Sequence, residues 1–230
     1  MHMDSFLSLL QFADGVFPAG AYAHSFGLEY YVQSGGVRDT AGVGEFLRAY
    51  LEGSAAPTDA VASVCAWRAA RAENLPASLA LDETLDAMKT ASELRDASRQ
   101  MGRQTLRVAN YLPGCHRMLT DFGEAARKRT TPGHHAVVFG IMGGVMGWPP
   151  EEMAAAYLYS TSAALVGAAL RLMPLGQLAG QGILWNLRPL IAKLAAQVQG
   201  KAEADMWAFA PALEIAAMGH AMLDARLFRS

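Results

Sequence analysis

From Met153 to Leu170 the chain runs 18 residues without a charge, and that stretch limits the folds open to it. A charge-free run of roughly this length is where a membrane-spanning helix becomes possible. The segment is therefore either a membrane crossing or a helix buried on most sides by protein. Its content favours the second, because much of it is Ala, Ser, Thr and Gly with two tyrosines, Tyr157 and Tyr159, so transfer to lipid is weakly driven. Arg171 closes the run, and no flanking Lys/Arg cluster sets an orientation. A long helix buried among others needs a large apolar core, and 52% hydrophobic against 17% charged residues supplies one. Apolar surface beyond the core is available for partner interfaces.

The rest of the chain carries the same signal. Apolar residues recur at helical spacing almost throughout, with little strict alternation. The spacing predicts an all-α, single-domain bundle of about eight to ten helices over residues 1–230. A first helix is expected over Asp4–Ala13, capped by Asp4 or Ser5 and broken by Asp14-Gly15-Val16-Phe17-Pro18-Ala19-Gly20. Helix resumes from Tyr22 to Ser34 and stops at Gly35-Gly36. Asp39 or Thr40 caps the next, which carries Val43, Phe46, Leu47, Tyr50 and Leu51 on one face. Pro57-Thr58-Asp59 opens another through Arg71. Thr90–Asn110 is the clearest amphipathic helix, apolar along Leu94, Ala97, Met101, Thr105 and Val108 and stopped by Pro113. Residues 121–133, with Arg127-Lys128-Arg129, read as an exposed connection. Helices over 134–147, 150–171 and 174–199 follow, and a last one over 211–227 carries Leu213, Ala217, Ala221 and Phe228 on one face. That face is either ordered by a partner, so that loss of 211–230 leaves a folded core that no longer binds it, or it completes the core, so that the loss unfolds the chain.

Chemical motifs are sparse. A formal net charge of −2 gives no pull towards nucleic acid. Two cysteines, Cys65 and Cys115, suggest no disulfide framework and fit a reduced, cytoplasmic setting. The start, Met1-His2-Met3-Asp4, lacks the basic and apolar segments of a secretory signal. There is no phosphate-binding loop, and Gly42-Val43-Gly44 lacks the third glycine of a dinucleotide fingerprint. No nucleophile elbow or His-Glu-x-x-His helix is present. Cys115-His116 and His134-His135 are adjacent pairs whose side chains diverge on a helix, so no stable metal site and no bound cofactor are expected. Arg95, Arg99, Arg103 and Arg107 recur every four residues. They form either a solvated ridge pairing with carboxylates such as Glu93 and Asp96, or a surface for an acidic partner.

Five segments, spread along the chain in order, together resemble the UreF family of urease accessory proteins. They are Pro18-Ala19-Gly20 with His24-Ser25-Phe26-Gly27-Leu28-Glu29; Glu93-Leu94-Arg95 with Ser98 and Gly102; His135 to Gly140; Arg171-Leu172 with Pro174-Leu175-Gly176-Gln177 and Gln181; and His220 with Arg226-Leu227-Phe228-Arg229-Ser230. The pattern is departed from at Ala21-Tyr22-Ala23, where a phenylalanine is common in the family.

The resemblance implies an all-α protein with no catalytic activity of its own. It implies a homodimer that binds UreD (also called UreH), recruits the GTPase UreG and so serves nickel delivery to apo-urease, the complex rather than this chain handling the metal. Partner-binding candidates are His24, Ser25, Glu29, Arg95, Arg171, Gln177, Gln181, His220, Arg226 and Phe228. By residue type, Arg171 and Arg226 are candidates for modulating GTP hydrolysis. Physically, Ser25 and Glu29 would share a helical face, Glu29 serving as a partner-facing acid or as a cap and core-network residue. Gln177 and Gln181 share a face, and either satisfy a neighbouring helix or meet a partner. The competing classes are a helical membrane-associated protein, which needs detergent, and a metal-dependent enzyme, which keeps metal through dialysis.

Overall fold

The computed structural model describes residues 2–112 and 116–230, and among these every regular element is helical. Helix α1 (Met3–Ala13) is capped neither by Asp4 nor by Ser5 but by His2, whose Nδ1 accepts from the Asp4 N–H at 3.4 Å. The helix expected over Tyr22–Ser34 is not continuous. A single 3₁₀ turn at Ala21–Ala23 gives way to extended backbone at His24, then a turn, and α2 covers only Leu28–Gln33. Left-handed backbone at Gly20 (φ +91°), Phe26 (φ +50°) and Gly27 (φ +87°) is incompatible with a right-handed helix. The N–H groups of Ser25 and Phe26 donate instead to the Ser230 main-chain oxygen, at 2.5 and 3.1 Å.

Helix α3 (Thr40–Tyr50) is capped by Asp39, which accepts from the Gly42 N–H at 2.8 Å, and it buries Val43, Phe46, Leu47 and Tyr50. Pro57 opens no new helix. Leu51–Ala60 continues from α3 with π-helical winding into α4 (Val61–Arg71), the Val61 N–H reaching back to the Ala56 carbonyl. The wider turn gives the Pro57 ring room that an α-turn denies it. Helix α5 (Leu75–Met88) was not anticipated. Asn74 caps it through the Ala77 N–H at 3.1 Å and Pro76 sits in its first turn, but Asp82, Glu83 and Asp86 dilute its apolar period.

Helix α6 (Ser92–Tyr111) has the expected stripe, with Ala97, Met101 and Thr105 buried. Pro113, its expected stop, and Cys115 lie outside the described residues. Most of the expected connection over 121–133 is instead α7 (Arg117–Arg127), which buries Phe122 and Ala126. Helices α8 (His135–Met146), α9 (Pro150–Leu172) and α10 (Gln177–Val198) match expectation closely. By length and composition α9 could cross a membrane, but half of its apolar window is buried inside the bundle. Helix α11 (Pro211–His220) ends at His220 rather than Leu227, because the chain turns there and runs back towards α2. Its Leu213, Ala216, Ala217 and His220 are buried, as is Phe228 beyond it. Residues 211–230 thus contribute to the core, and of the two readings the burial favours the one in which their removal destabilises the bundle.

Helix α8 lies at the centre, buried from His135 through Gly144 and packed along α4 and α6. Two glycines permit its close crossings. A Cβ at Gly140 would be driven into the Ser63 carbonyl oxygen of α4, and one at Gly102 of α6 into the Gly133 carbonyl and the backbone of His134 and His135. Gly140→Ala is expected to lower stability by about 1–3 kcal/mol through overpacking. Gly167→Ala in α9, where a Cβ meets nothing within 4 Å, should raise stability by about 0.5–1 kcal/mol. Denaturant midpoints measure both, and a neutral Gly140→Ala would contradict the close crossing.

Candidate functional site

Residues from both ends of the chain meet where 221–230 straps across the segment before α2. Glu29, in the first turn of α2, is 1% exposed. Its Oε2 accepts from His220 Nε2 at 2.9 Å and from the Phe228 N–H at 3.0 Å. Its Oε1 accepts from the Leu227 N–H at 2.7 Å and from the Gln33 amide at 3.3 Å. On the other side of the buried imidazole, His220 Nδ1 stands 2.7 Å from Glu93 Oε2, and Glu93 Oε1 accepts from Arg226 at 3.1 Å. His220 therefore bridges two carboxylates, donating to both when both ring nitrogens carry protons.

Ser25 precedes α2 and does not share a helical face with Glu29. Its Oγ accepts from the Glu29 N–H at 3.4 Å and donates to the Ser230 main-chain oxygen at 2.8 Å. His24 Nδ1 lies 2.8 Å from Ser230 Oγ. Arg171, in the last turn of α9, donates to the Tyr22 carbonyl at 2.7 Å. Its guanidinium lies 3.6 Å from the Tyr22 ring centroid and 4.2 Å from that of Phe228. Gly27 lets α2 start against α11, since a Cβ there would meet the Ala216 Cβ at 3.3 Å.

The remaining candidates lie elsewhere. Arg95 folds back to the Lys89 carbonyl at 3.2 Å. Gln177 and Gln181 are exposed on α10, and Gln181 lines a shallow groove with Tyr159 of α9. Sequence reasoning missed Glu93 as the partner of His220, having assigned it to the arginine ridge. Its motif with Arg95 and Ser98 was the available signal.

Burial works against ionisation of Glu29, but the Leu227 and Phe228 N–H groups and His220 outweigh it and hold the carboxyl below its usual range. Burial, and then the charge of Arg229, pushes His24 down to about 4. A second polar cluster joins α5, α6 and α8. Asp82 accepts from Thr131 Oγ1 and the Gly133 N–H, each at 2.6 Å, and from the His134 N–H at 2.8 Å, yet burial raises its pKa. His134 contacts Ser98 Oγ at 3.0 Å and Asp86 at 2.8 Å, and burial with the Lys89 charge pushes it down to about 4.

A cavity of about 250 Å³ opens between α1, α6 and α9. Its lining includes the Lys89–Asp59 ion pair (2.8 Å), His135, Tyr50 and Tyr157. Burial pushes His135 down to about 4 and both phenols up. The Ser160 and Thr161 hydroxyls donate to the Tyr157 carbonyl, at 3.0 and 2.9 Å, so they serve the helix backbone. Among the described residues no three His, Cys, Asp or Glu side chains are disposed to hold one metal ion. What the strap junction does is mechanical: it fixes 221–230 on the bundle and leaves Tyr22, Met222 and Leu227 facing solvent.

A family model described as UreF matches residues 37–188. The chain is 32% identical over 228 residues to the urease accessory protein UreF of Bacillus sp. strain TB-90, covering 99% of this chain and 100% of that protein. It is 33% identical over 229 residues to that of Lachnoclostridium phytofermentans, with 99% and 100% covered. It is 33% identical over 225 residues to that of Paenarthrobacter aurescens, with 97% of each covered.

Two outcomes are expected of the strap junction. Glu29→Gln leaves two N–H groups and His220 without their carboxylate and should cost roughly 3–5 kcal/mol, as breaking a buried pair does. Thermal melting and limited proteolysis after residue 220 read this, and a variant as stable and resistant as the parent would refute the pinning. The pH profile has a definite sign. His24, His134 and His135 lie at about 4 when folded against 6.5 ordinarily. Between those values the unfolded chain takes up protons that the folded one refuses, so stability falls as pH drops through that window. Glu29, depressed below 4.5, extends the loss to lower pH, while Asp82, raised above 3.8, opposes it there. A melting temperature unchanged from pH 7 to 5 would contradict the histidine assignments.

Proposed function

Given that this chain belongs to the UreF family of urease accessory proteins, we propose that it is the scaffold of a urease-maturation complex. It binds a UreD-type (UreH-type) protein and recruits the GTPase UreG, so that nickel, the cargo of the assembly, reaches apo-urease. UreG supplies the nucleotide chemistry, and this chain supplies interfaces in the cytoplasm without catalysis or a resident cofactor.

The observation that carries this reading is the apolar surface beside the pinned strap. Ile215, Met218 and Met222 are 62%, 54% and 83% exposed, and Leu227 is 61% exposed. Ile215 and Met218 share the outward side of α11 at a spacing of three, and Met222 follows four residues later. Contiguous exposed apolar surface of this kind marks interaction sites. The buried His220–Glu29 pair fixes the backbone beneath it, which lowers the entropy lost on binding. A second exposed aromatic pair supports a homodimer: Tyr159 on α9 and Trp185 on α10, 43% and 68% exposed, line one groove, where the Arg188 guanidinium stacks 4.2 Å from the Trp185 ring centroid. Of the two arginines considered for UreG, Arg171 is engaged by two aromatic rings, whereas the Arg226 side chain is 43% exposed and so available to a partner.

Co-expression with UreD-type and UreG-type proteins, followed by size-exclusion chromatography, tests the reading. Met218→Asp with Met222→Asp is expected to shift stability by no more than about 0.5 kcal/mol, as surface changes do, and to abolish co-elution with the UreD-type protein. A double variant that melts like the parent and still co-elutes stoichiometrically would sink the proposal.

A further inference from the structure

The arginine ridge of α6 is only partly engaged. Arg99 is bidentate on Asp86, with both contacts at 2.7 Å. Arg103 is exposed and donates to the neutral Pro132 carbonyl at 3.2 Å, which satisfies a donor without cancelling its charge. Facing it, α7 ends in a Schellman turn. The Thr130 N–H donates to the Ala125 carbonyl at 3.0 Å and the Arg129 N–H to the Ala126 carbonyl at 3.2 Å. The residue in the left-handed position of that turn, which glycine fills without strain, is Arg129 at φ +60°. The turn closes two carbonyls at the end of α7, but glycine would close them without strain, so the fold itself does not require an arginine there.

Between α6 and this turn lies a cleft of about 580 Å³, whose charged lining is Glu83, Asp86, Arg99, Arg103, Arg127 and Arg129. Four arginines stand against two carboxylates, and one of those carboxylates, Asp86, is already held by Arg99 and His134. Arg127 pairs with Glu124, but Glu124 is shared with Lys128 at 3.1 Å, so one carboxylate serves two cations. The cleft is cationic on a chain of net charge −2.

We propose that this cleft docks an acidic peptide segment of a partner protein, with Arg103 and Arg129 closing on its carboxylates from the two walls. The surface is formed by α5, α6 and α7, apart from the strap junction, and the proposal stands whether or not the α11 face binds UreD. A peptide suits the cleft better than nucleic acid does. Among the described residues no aromatic ring lines it for base stacking, whereas its separate arginines suit the separate carboxylates of a peptide. Its volume is that of a site for several side chains rather than for one small ion.

Fluorescence anisotropy of a labelled hexaglutamate peptide with the full chain at low ionic strength tests this. Binding is expected to weaken as salt rises. Arg103→Glu with Arg129→Glu should reduce affinity by about tenfold or more, whereas Arg48→Glu, a surface arginine of α3, should leave it unchanged. Arg129→Gly separates the roles, because it should raise the melting temperature by relieving the strained turn while weakening the peptide. Absence of arginine-dependent binding, or an Arg129→Gly protein that binds like the parent, would overturn the proposal. It would equally be overturned by an RNA oligonucleotide bound with the same arginine dependence, or by inorganic phosphate displacing the peptide at matching concentration.

Discussion

The interaction on which the rest depends is a buried imidazole held between two carboxylates. His220 is removed from solvent with Glu29 on one side and Glu93 on the other. Burying such charges singly is costly, and they are tolerated only where each is paired and its remaining lone pairs are filled. Here those lone pairs are filled by the N–H groups of Leu227 and Phe228 and by Arg226, all from the strap. Three elements far apart in sequence, α2, α6 and α11, are thereby tied at one point. The strap's otherwise irregular backbone finds acceptors there that a helix would have provided internally.

That junction also accounts for the way the apolar surface is divided. The inward residues of α11 join the core, so the outward ones are left as a fixed patch instead of a fraying terminal turn. Arg171 completes the arrangement by stacking against the rings of Tyr22 and Phe228, which clamps the strap from the α9 side. The close crossings at Gly102 and Gly140 do for the centre of the bundle what the junction does for its edge: small residues let backbones approach, and the approach fixes the register. A bundle built this way holds its exposed apolar residues on fixed backbone.

Periodicity was sufficient to locate the long helices, because α8, α9 and α10 are bounded by Pro, Gly and clear changes of hydropathy. It failed at α5 and α7, where acidic residues on one and the Arg127-Lys128-Arg129 run on the other masked inward faces that bury Leu81, Leu85, Phe122 and Ala126. It failed differently between Tyr22 and Ser34. There the pattern is compatible with helix, and it is the distant Ser230 main-chain oxygen that captures the N–H groups of Ser25 and Phe26. The candidate residues were legible as motifs, but not as neighbours of one another. Nothing local in a sequence announces that a glutamate at position 29 will accept hydrogen bonds from residues 220, 227 and 228. The exposure of Gln177 and Gln181 was equally invisible, since an amphipathic pattern does not say what stands opposite.

The strap has a consequence for the order in which the molecule acquires its surface. Glu29 leaves the ribosome long before the groups it will bind, and a contact spanning nearly the whole chain closes late. Until residues 220–230 have emerged, that carboxylate has neither its imidazole nor its two N–H donors, and the α11 patch has no platform. A nascent chain therefore cannot display the pinned apolar face. That face is thus a late product of synthesis, fixed only once two distant segments have met.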